Sequence, residues 1–431
     1  MAAGMQPDAA ERKSRLFDAA DDAHASMQPE SSDMQRFWVP GRIEVLGKHT
    51  DYAGGRSLLC AVERGFGVAA SRRGDDLVRV RDAITGVQVE ISVSDTDAPT
   101  PGHWSNYVQT VVRRIARDFP PLTGADIAFA SDLPLAAGVS SSSALVIAMF
   151  FAISSANDLE ARDAFRRVVG NDDALAGYLG AVENGLPFGD LDGHHGVGTF
   201  GGSEDHTAIL RGRAGSLVQY RFCPVVFENS VPLPTDHAFV IASSGIRAEK
   251  AGAALQAYNR LSLLSRAALE RWNVLAGRHD SSLGEAIASR GEGVVRVLRA
   301  DSAELAERAE QFLIECETII PSCARALASG DIRAFGALVD RSMSNAVRML
   351  HNQVPATIFL AERARTLGAV AASAFGAGFG GSVWALTSMS KASELCDALE
   401  AEYVARFPEH GAESEFFVTS ASIPALRLTS C

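Results

Sequence analysis

The sequence offers little from which to build a disulfide framework, a nucleic-acid surface or a membrane span. Its six cysteines (Cys60, Cys223, Cys316, Cys323, Cys396, Cys431) are scattered through 431 residues, and none falls in a C-x-x-C pair. Thiols so placed suit a reducing compartment rather than a cross-linked secreted scaffold. Basic residues are in deficit, with a net charge of −12. No surplus is left to neutralise phosphates along a duplex, so no nucleic-acid partner is expected. One local Arg or Lys still suffices to hold an anionic substrate. The longest strongly apolar run, Ala144 to Ile153, falls short of the roughly 20 residues that cross a bilayer. The start of the chain is mixed in charge and shows no signal peptide. The expectation is a cytoplasmic protein without a membrane or nucleic-acid partner.

What is present is ordinary globular material, 47% hydrophobic and 21% charged. At roughly 100–200 residues per domain, two domains are expected. Residues 1–35 read as a weakly ordered leader, Arg12 to Ala23 being its most helical piece. Ser57 to Val62 and Phe66 to Ser71 read as short strands, and Val78 to Arg81 and Val87 to Val93 alternate with the period of half-buried strands. Helical spacing marks Trp104 to Phe119, Ala161 to Glu183, Glu249 to Trp272, Leu305 to Leu327, Ile332 to Met349 and Ala356 to Leu367. A Ser-rich loop opens a further helix running to about Ser155. Ser382 to Thr387 and Glu415 to Thr419 read as strands. Pro232 and Pro234 punctuate the chain, which places a boundary between domains 36–230 and 231–431. The class is α+β.

Three segments carry chemistry. Pro134-Leu-Ala-Ala-Gly138-Val139-Ser140-Ser141-Ser142-Ser143 lies between a strand and an apolar helix. A helix start presents unpaired N–H groups and partial positive charge, which suits a phosphate. Gly138 lets backbone approach a ligand, and a Ser hydroxyl can reach Mg²⁺ or a phosphate oxygen. Pro40 to Gly55 gathers Arg42, Lys48, His49 and Asp51 among glycines. That mixture suits a polyol, since Asp accepts from hydroxyls while Lys and His donate. The same stretch is not a Walker loop: five residues rather than four separate Gly41 from Gly47, and His49 stands where Ser or Thr would be needed. Gly376-Ala-Gly378-Phe-Gly-Gly381 fits G-x-G-x-x-G but precedes a strand, so it reads as a tight turn for phosphates or for the other loop, not a dinucleotide fingerprint.

Together these segments resemble the GHMP kinases, galactokinases most closely. The pattern P-G-R-x-N-x-I-G-E-H-T-D-Y-x-G-G is matched by Pro40 to Gly55 except at Glu44, Leu46 and Lys48. P-L-G-x-G-L-S-S-S-A is matched by Pro134 to Ser143 except at Ala136, Val139 and Ser143, and G-A-G-F-G-G is matched in full by Gly376 to Gly381. Trp104-Ser-Asn106-Tyr-Val is similar to the family's W-x-N-Y-V, and Tyr258-Asn-Arg to its Y-N-x-R. The resemblance implies a two-domain GHMP kinase fold, with a ribosomal protein S5-like N-terminal domain and a ferredoxin-like C-terminal domain. It implies phosphoryl transfer from ATP, with Mg²⁺, to the anomeric hydroxyl of a sugar. ATP would meet Gly138 to Ser143, Trp104, Asn106 and Gly378. The family's C-G-I-M-D-Q is nearest to Gly201-Gly-Ser-Glu-Asp205-His206, making Asp205 the catalytic carboxylate with Arg42 as its partner. Glu204 is a direct competitor. Ser142 and Glu183 would hold Mg²⁺, and Lys48, His49, Asp51 and Tyr258 the sugar.

Two departures matter. Glu183 lies 22 positions before Asp205, more than in the family, so Leu186 to Gly198 reads as an insertion. Its Asp190, Asp192, His194 and His195 suit either a separate metal site or a solvated loop. Lys48 replaces a carboxylate that contacts the sugar's C6 hydroxyl. An ammonium donates only, which suits an acceptor at C6 such as the carboxylate of galacturonate, unless Lys48 turns toward Glu44. Galactose and a uronic acid both stay open. So does a catalytically silent, sugar- and ATP-responsive regulator on the same fold.

Overall fold

The computed structural model describes residues 7–28, 33–95, 103–134, 138–246 and 252–428. Leu135 to Ala137 of the Ser-rich loop, residues 1–6 of the leader, Glu249 and Cys431 lie outside these ranges.

Among the described residues, twelve strands form two sheets. They are β1 (Gln35–Leu46), β2 (Arg56–Arg72), β3 (Leu77–Asp82), β4 (Gln88–Ser92), β5 (Ala125–Ser131), β6 (Ser216–Arg221), β7 (Val226–Pro232), β8 (His237–Ser243), β9 (Ala371–Ala374), β10 (Ser382–Ser388), β11 (Glu415–Thr419) and β12 (Leu426–Leu428). The first sheet runs β12-β1-β2-β5-β3-β4, with β6 added to β2 and β7 to β6; the second runs β11-β8-β10-β9. Every pair is antiparallel except β3 with β5.

The two short strands expected across residues 57–71 are one strand of 17 residues. Its first residues pair with β6 and its last with β5, while β1 runs along it. The polar break that suggested two strands finds partners far away in sequence. Glu63 N–H donates to Thr419 Oγ1, Ser420 N–H donates to Glu63 Oε2, and Arg64 pairs with Glu415. Gly65 permits the close approach, since a Cβ there would lie 2.4 Å from Val39 O.

The leader, expected to be weakly ordered, is helical from Pro7 to Met27. It docks on the outer face of the first sheet, where Leu16 and Phe17 bury against Trp38 and Ala130. Lys13 lies over the Trp38 ring, and Arg36 grips Asp21 with two nitrogens. Tertiary contact stabilises a helix that propensity alone leaves marginal.

The helix Ser141–Ala156 is buried on almost every side between β1, β2 and the helix Ser105–Asp118, as expected of a helix that is apolar all round. The span expected as one helix from Ala161 to Glu183 is broken at Gly170, and Asn171 caps Asp172–Asn184 by accepting from Ala174 N–H. The long helix expected over Leu305 to Leu327 loosens to a π-turn at Ile314–Ile319 before Pro321. Proline lacks the N–H that a regular helix would use there. Two helices without a clear sequence signal, Leu283–Arg290 and Glu292–Arg299, join a small core that also takes in Tyr52 and Ala53. That packing carries the helical segment 252–313 to the loop after β1. Among the described residues no helix is long and apolar enough to cross a membrane.

Candidate active site

β1 delivers Arg42, and the loop that follows it delivers residues 47–55. Gly47 (φ 122) has no room for a side chain, because a Cβ would lie 2.3 Å from Ser57 Oγ. His49 is also left-handed (φ 59), which bends the chain back toward β1.

The Arg42 guanidinium is buried and joins three elements. Nε and Nη2 reach Asp205 Oδ1 at 2.7 and 2.6 Å, and Nη1 donates to Gly138 O at 2.5 Å. Asp205 sits in the first turn of the helix Glu204–Arg211 and keeps 27% of its side-chain surface. Its Oδ2 accepts from Ser140 Oγ at 2.5 Å and lies 3.3 Å from Ser143 Oγ. Ser143 Oγ also donates to Glu183 Oε2 at 2.7 Å. His206 Nε2 stands 3.1 Å from that oxygen, a charge-pair distance out of line for a hydrogen bond. Arg42, Asp205, the Ser-rich loop and Glu183 are therefore one connected cluster.

The Ser run splits by helical geometry. Ser140, left-handed at φ 60, and Ser143 turn inward, while Ser141 and Ser142 are partly exposed at the helix start. Val139 puts its side chain in the core and its carbonyl on Arg42 N–H. Trp104 packs edge-on against Phe129 at the start of the helix Ser105–Asp118, and the Oδ1 of the buried Asn106 has no partner among the described residues. Gly378 packs on Asn352, whose carbonyl oxygen lies 2.2 Å from where a Cβ would stand.

The glycine turn 376–381 closes onto the loop after β1. Gly376 N–H donates to Glu44 Oε2 at 3.0 Å, and His49 Nε2 donates to Ala377 O at 2.9 Å. The carbonyl can only accept, so Nε2 carries the proton and Nδ1 accepts from Tyr52 OH at 2.9 Å. Burial pushes His49 down to about 3. Both ring nitrogens of this expected sugar ligand are thus already used in holding the turn.

Asp51 Oδ2 accepts from Glu204 N–H at 3.1 Å, and burial raises the Asp51 carboxyl above its usual range. The Tyr258 ring lies 5.4 Å from that of His49, and its hydroxyl is pushed well up by burial. Asp51 and Tyr258 flank Gly201 and Gly202, directly ahead of Asp205. Glu204, the competing carboxylate, is buried and accepts from Ser57 Oγ at 2.5 Å. Burial and the nearby Glu44 and Asp51 hold its carboxyl well above the ordinary range. Of the two neighbours, Asp205 is the one bonded to the Ser-rich loop.

Lys48 is 1% exposed, and among the described residues its amino group has no hydrogen-bond partner. Glu44 feels its charge, yet Glu44 Oε1 and Glu315 Oε2 also lack partners among the described residues. Glu315, on the π-turn, accepts from Gly47 N–H and Ser342 Oγ. Neither it nor Arg308, which reaches His49 O and Tyr52 OH, carries any motif in the sequence. Leu186 to Gly198 lies along the helix Ser105–Asp118, with Arg114 donating to Leu186 O and Arg117 to Gly193 O. Among the described residues no group of three His, Cys, Asp or Glu is poised for a metal.

Comparison with known proteins bears on this arrangement. Residues 30–72 match the galactokinase galactose-binding signature, 106–181 the GHMP kinases N terminal domain and 323–405 the GHMP kinases C terminal domain. A galactokinase of Roseiflexus sp. is 29% identical over 82% of this chain and 83% of its own length. One of Actinobacillus succinogenes is 26% identical over 92% and 98%. The crystal structure of Lactococcus lactis galactokinase complexed with galactose superposes with a TM-score of 0.76 at 22% identity, covering 95% of this chain and 99% of that one. The signature falls on β1, β2 and the loop between them, and the two domain matches lie on either side of Asp205, so the chain is similar to the GHMP kinases and, among them, to galactokinases.

Proposed function

We propose that the protein transfers the γ-phosphoryl group of ATP to the anomeric hydroxyl of a galactose-like sugar. The observation that carries this reading is the junction of Arg42, Asp205 and Ser140, three segments distant in sequence meeting on one carboxylate. Asp205 Oδ1 is held by Arg42. Oδ2 faces hydroxyls that can turn as donors or acceptors, so it is the oxygen able to take the sugar's proton. The anomeric oxygen forms a bond to the γ-phosphorus as the bridging P–O bond to ADP breaks, and the proton passes to Asp205 and then to solvent. General-base assistance of this kind is worth roughly 10²–10⁴ in rate, and Arg42 steadies the charge that develops. Partly exposed N–H groups and hydroxyls at Ser141 and Ser142 suit the nucleotide's phosphates. Gly138, Val139, Ser140 and Ser143 complete that loop, with Trp104, Asn106 and Gly378 toward the rest of ATP.

Hard oxygen donors suit Mg²⁺, and Ser143 ties Glu183 into the Asp205 cluster. Ser142 and Glu183 would hold the ion, which supplies charge neutralisation on the phosphates. Asp51 and Tyr258, with His49 behind them, would read the ring hydroxyls. Residues 36–230 would supply the nucleotide side and 231–431 the second domain.

A uronic acid is the second reading, favoured by the unpartnered donors of Lys48. An ADP-release screen across aldoses and uronic acids tests both, and turnover confined to galacto-configured sugars is expected. Retained sugar and ATP binding with no turnover would make the chain a regulator. Lys48→Met separates the two substrates. For a uronate enzyme it should cut kcat/KM for galacturonate roughly 10–100-fold, the worth of one bond to a charged group. Galactose use should hold, and an unchanged ratio would remove Lys48 from the C6 group.

A further inference from the structure

The loop 198–203 leads into the helix that carries Asp205, and ahead of Ser203, whose carbonyl accepts from Thr207 N–H, no strand or helix backbone among the described residues hydrogen-bonds it. Backbone groups outside sheets and helices take partners from side chains or water, and two asparagines supply them here, Asn184 at the more buried end of the loop and Asn259 at its exposed end. Asn184 Oδ1 accepts from Gly201 N–H and Thr199 Oγ1, both at 2.8 Å, while Nδ2 donates to Gly202 O at 3.1 Å and Gly180 O at 2.9 Å. Asn259, on the helix Gly252–Ala276, holds the same loop from the other side. Its Oδ1 accepts from Phe200 N–H at 2.9 Å and its Nδ2 donates to Gly198 O at 3.2 Å. The loop has no slack between them. A Cβ on Gly201 would stand 2.7 Å from Tyr258 OH, and one on Gly202 2.4 Å from Asp51 Oδ2.

We propose that Asn184 and Asn259 are positioning residues for Asp205, acting through the backbone of residues 198–203. This rests on the reading of Asp205 as the acting carboxylate. Each use needs an acceptor and a donor on one planar group, which a carboxamide provides without charge. Asn259 also neighbours Tyr258, so contact of a sugar with Tyr258 bears on the same helical turn that holds Phe200. Sugar binding and placement of Asp205 are coupled through that turn.

The test uses the full chain with Mg·ATP and whichever sugar gives turnover. Two neutral hydrogen bonds lost in Asn259→Ala correspond to roughly a 5–30-fold effect. That loss is expected in kcat, with the KM for ATP within twofold of the parent. Hydrogen exchange over 198–206 should quicken, and sugar should no longer slow it. Asn259→Asp keeps the acceptor for Phe200 N–H and should fall between the two; it replaces Asn259→Ala if the latter lowers the unfolding midpoint. Parental exchange and a kcat within twofold in both variants would overturn the proposal. If Asp205→Asn retains turnover, the reading of Asp205 fails instead. An inactive Asp205→Asn beside a normal Asn259→Ala removes the positioning role alone.

Discussion

Asp205→Asn should lower kcat by about two to four orders of magnitude, the range that general-base assistance supplies, in a protein that stays folded. The amide oxygen can still accept from Arg42, which also keeps its bond to Gly138 O. The amide nitrogen can donate to Ser140 once that hydroxyl turns. The geometry therefore survives, while the capacity to take a proton is lost. KM for ATP should change little, because the Ser-rich loop and its helix are untouched. Sugar-dependent ADP release, with a thermal melt as control, measures both. Near-parental turnover would remove Asp205 from the chemistry and turn attention to its neighbour Glu204, whose carboxyl is bonded to Ser57.

Glu44→Gln should stabilise the protein increasingly as pH rises through the mildly acidic range. Burial pushes Glu44 from 4.5 up to about 7, against the pull of Lys48 and Arg42 and with the help of Glu315. Between those two pH values the unfolded chain has released the proton and the folded chain retains it. Stability then falls with rising pH, by at most roughly 1.4 kcal/mol per pH unit, and levels off above about pH 7. Glutamine resembles the protonated acid at every pH and can still accept from Gly376 N–H. The variant should match the parent near pH 4 and exceed it at pH 7 and above. Denaturant midpoints across that range measure the difference, and parallel profiles would show that Glu44 ionises freely in the fold.

Glu44 also shows where reading the sequence stops. It is one of three departures within Pro40 to Gly55, and nothing in the spacing reveals that Gly376 and Glu315 stand beside it. The same holds for His49, whose residue type suited a sugar hydroxyl. The turn at Ala377 and the hydroxyl of Tyr52 take both its nitrogens instead. Lys48 raised the question of what stands at C6. What the structure adds is its burial, together with two carboxylate oxygens that lack partners among the described residues, a feature of packing rather than pattern.

The leader and β2 make the same point for the fold. Weak propensity across residues 7–27 concealed a docked helix, and a polar break at Glu63 concealed a continuous strand. In both cases the deciding partners, Trp38, Thr419 and Glu415, lie elsewhere in the chain.

By itself the sequence determined the α+β class and the three glycine- and serine-rich segments. It also determined their order, because local chemistry demands particular residues there: left-handed turns, a helix start open to phosphate, an arginine on a strand. Only the tertiary structure decided which carboxylate meets Arg42, which serines turn inward, and which asparagines pin the loop ahead of Asp205. Those are matters of distance between segments up to 163 positions apart, and periodicity carries no information about such distances.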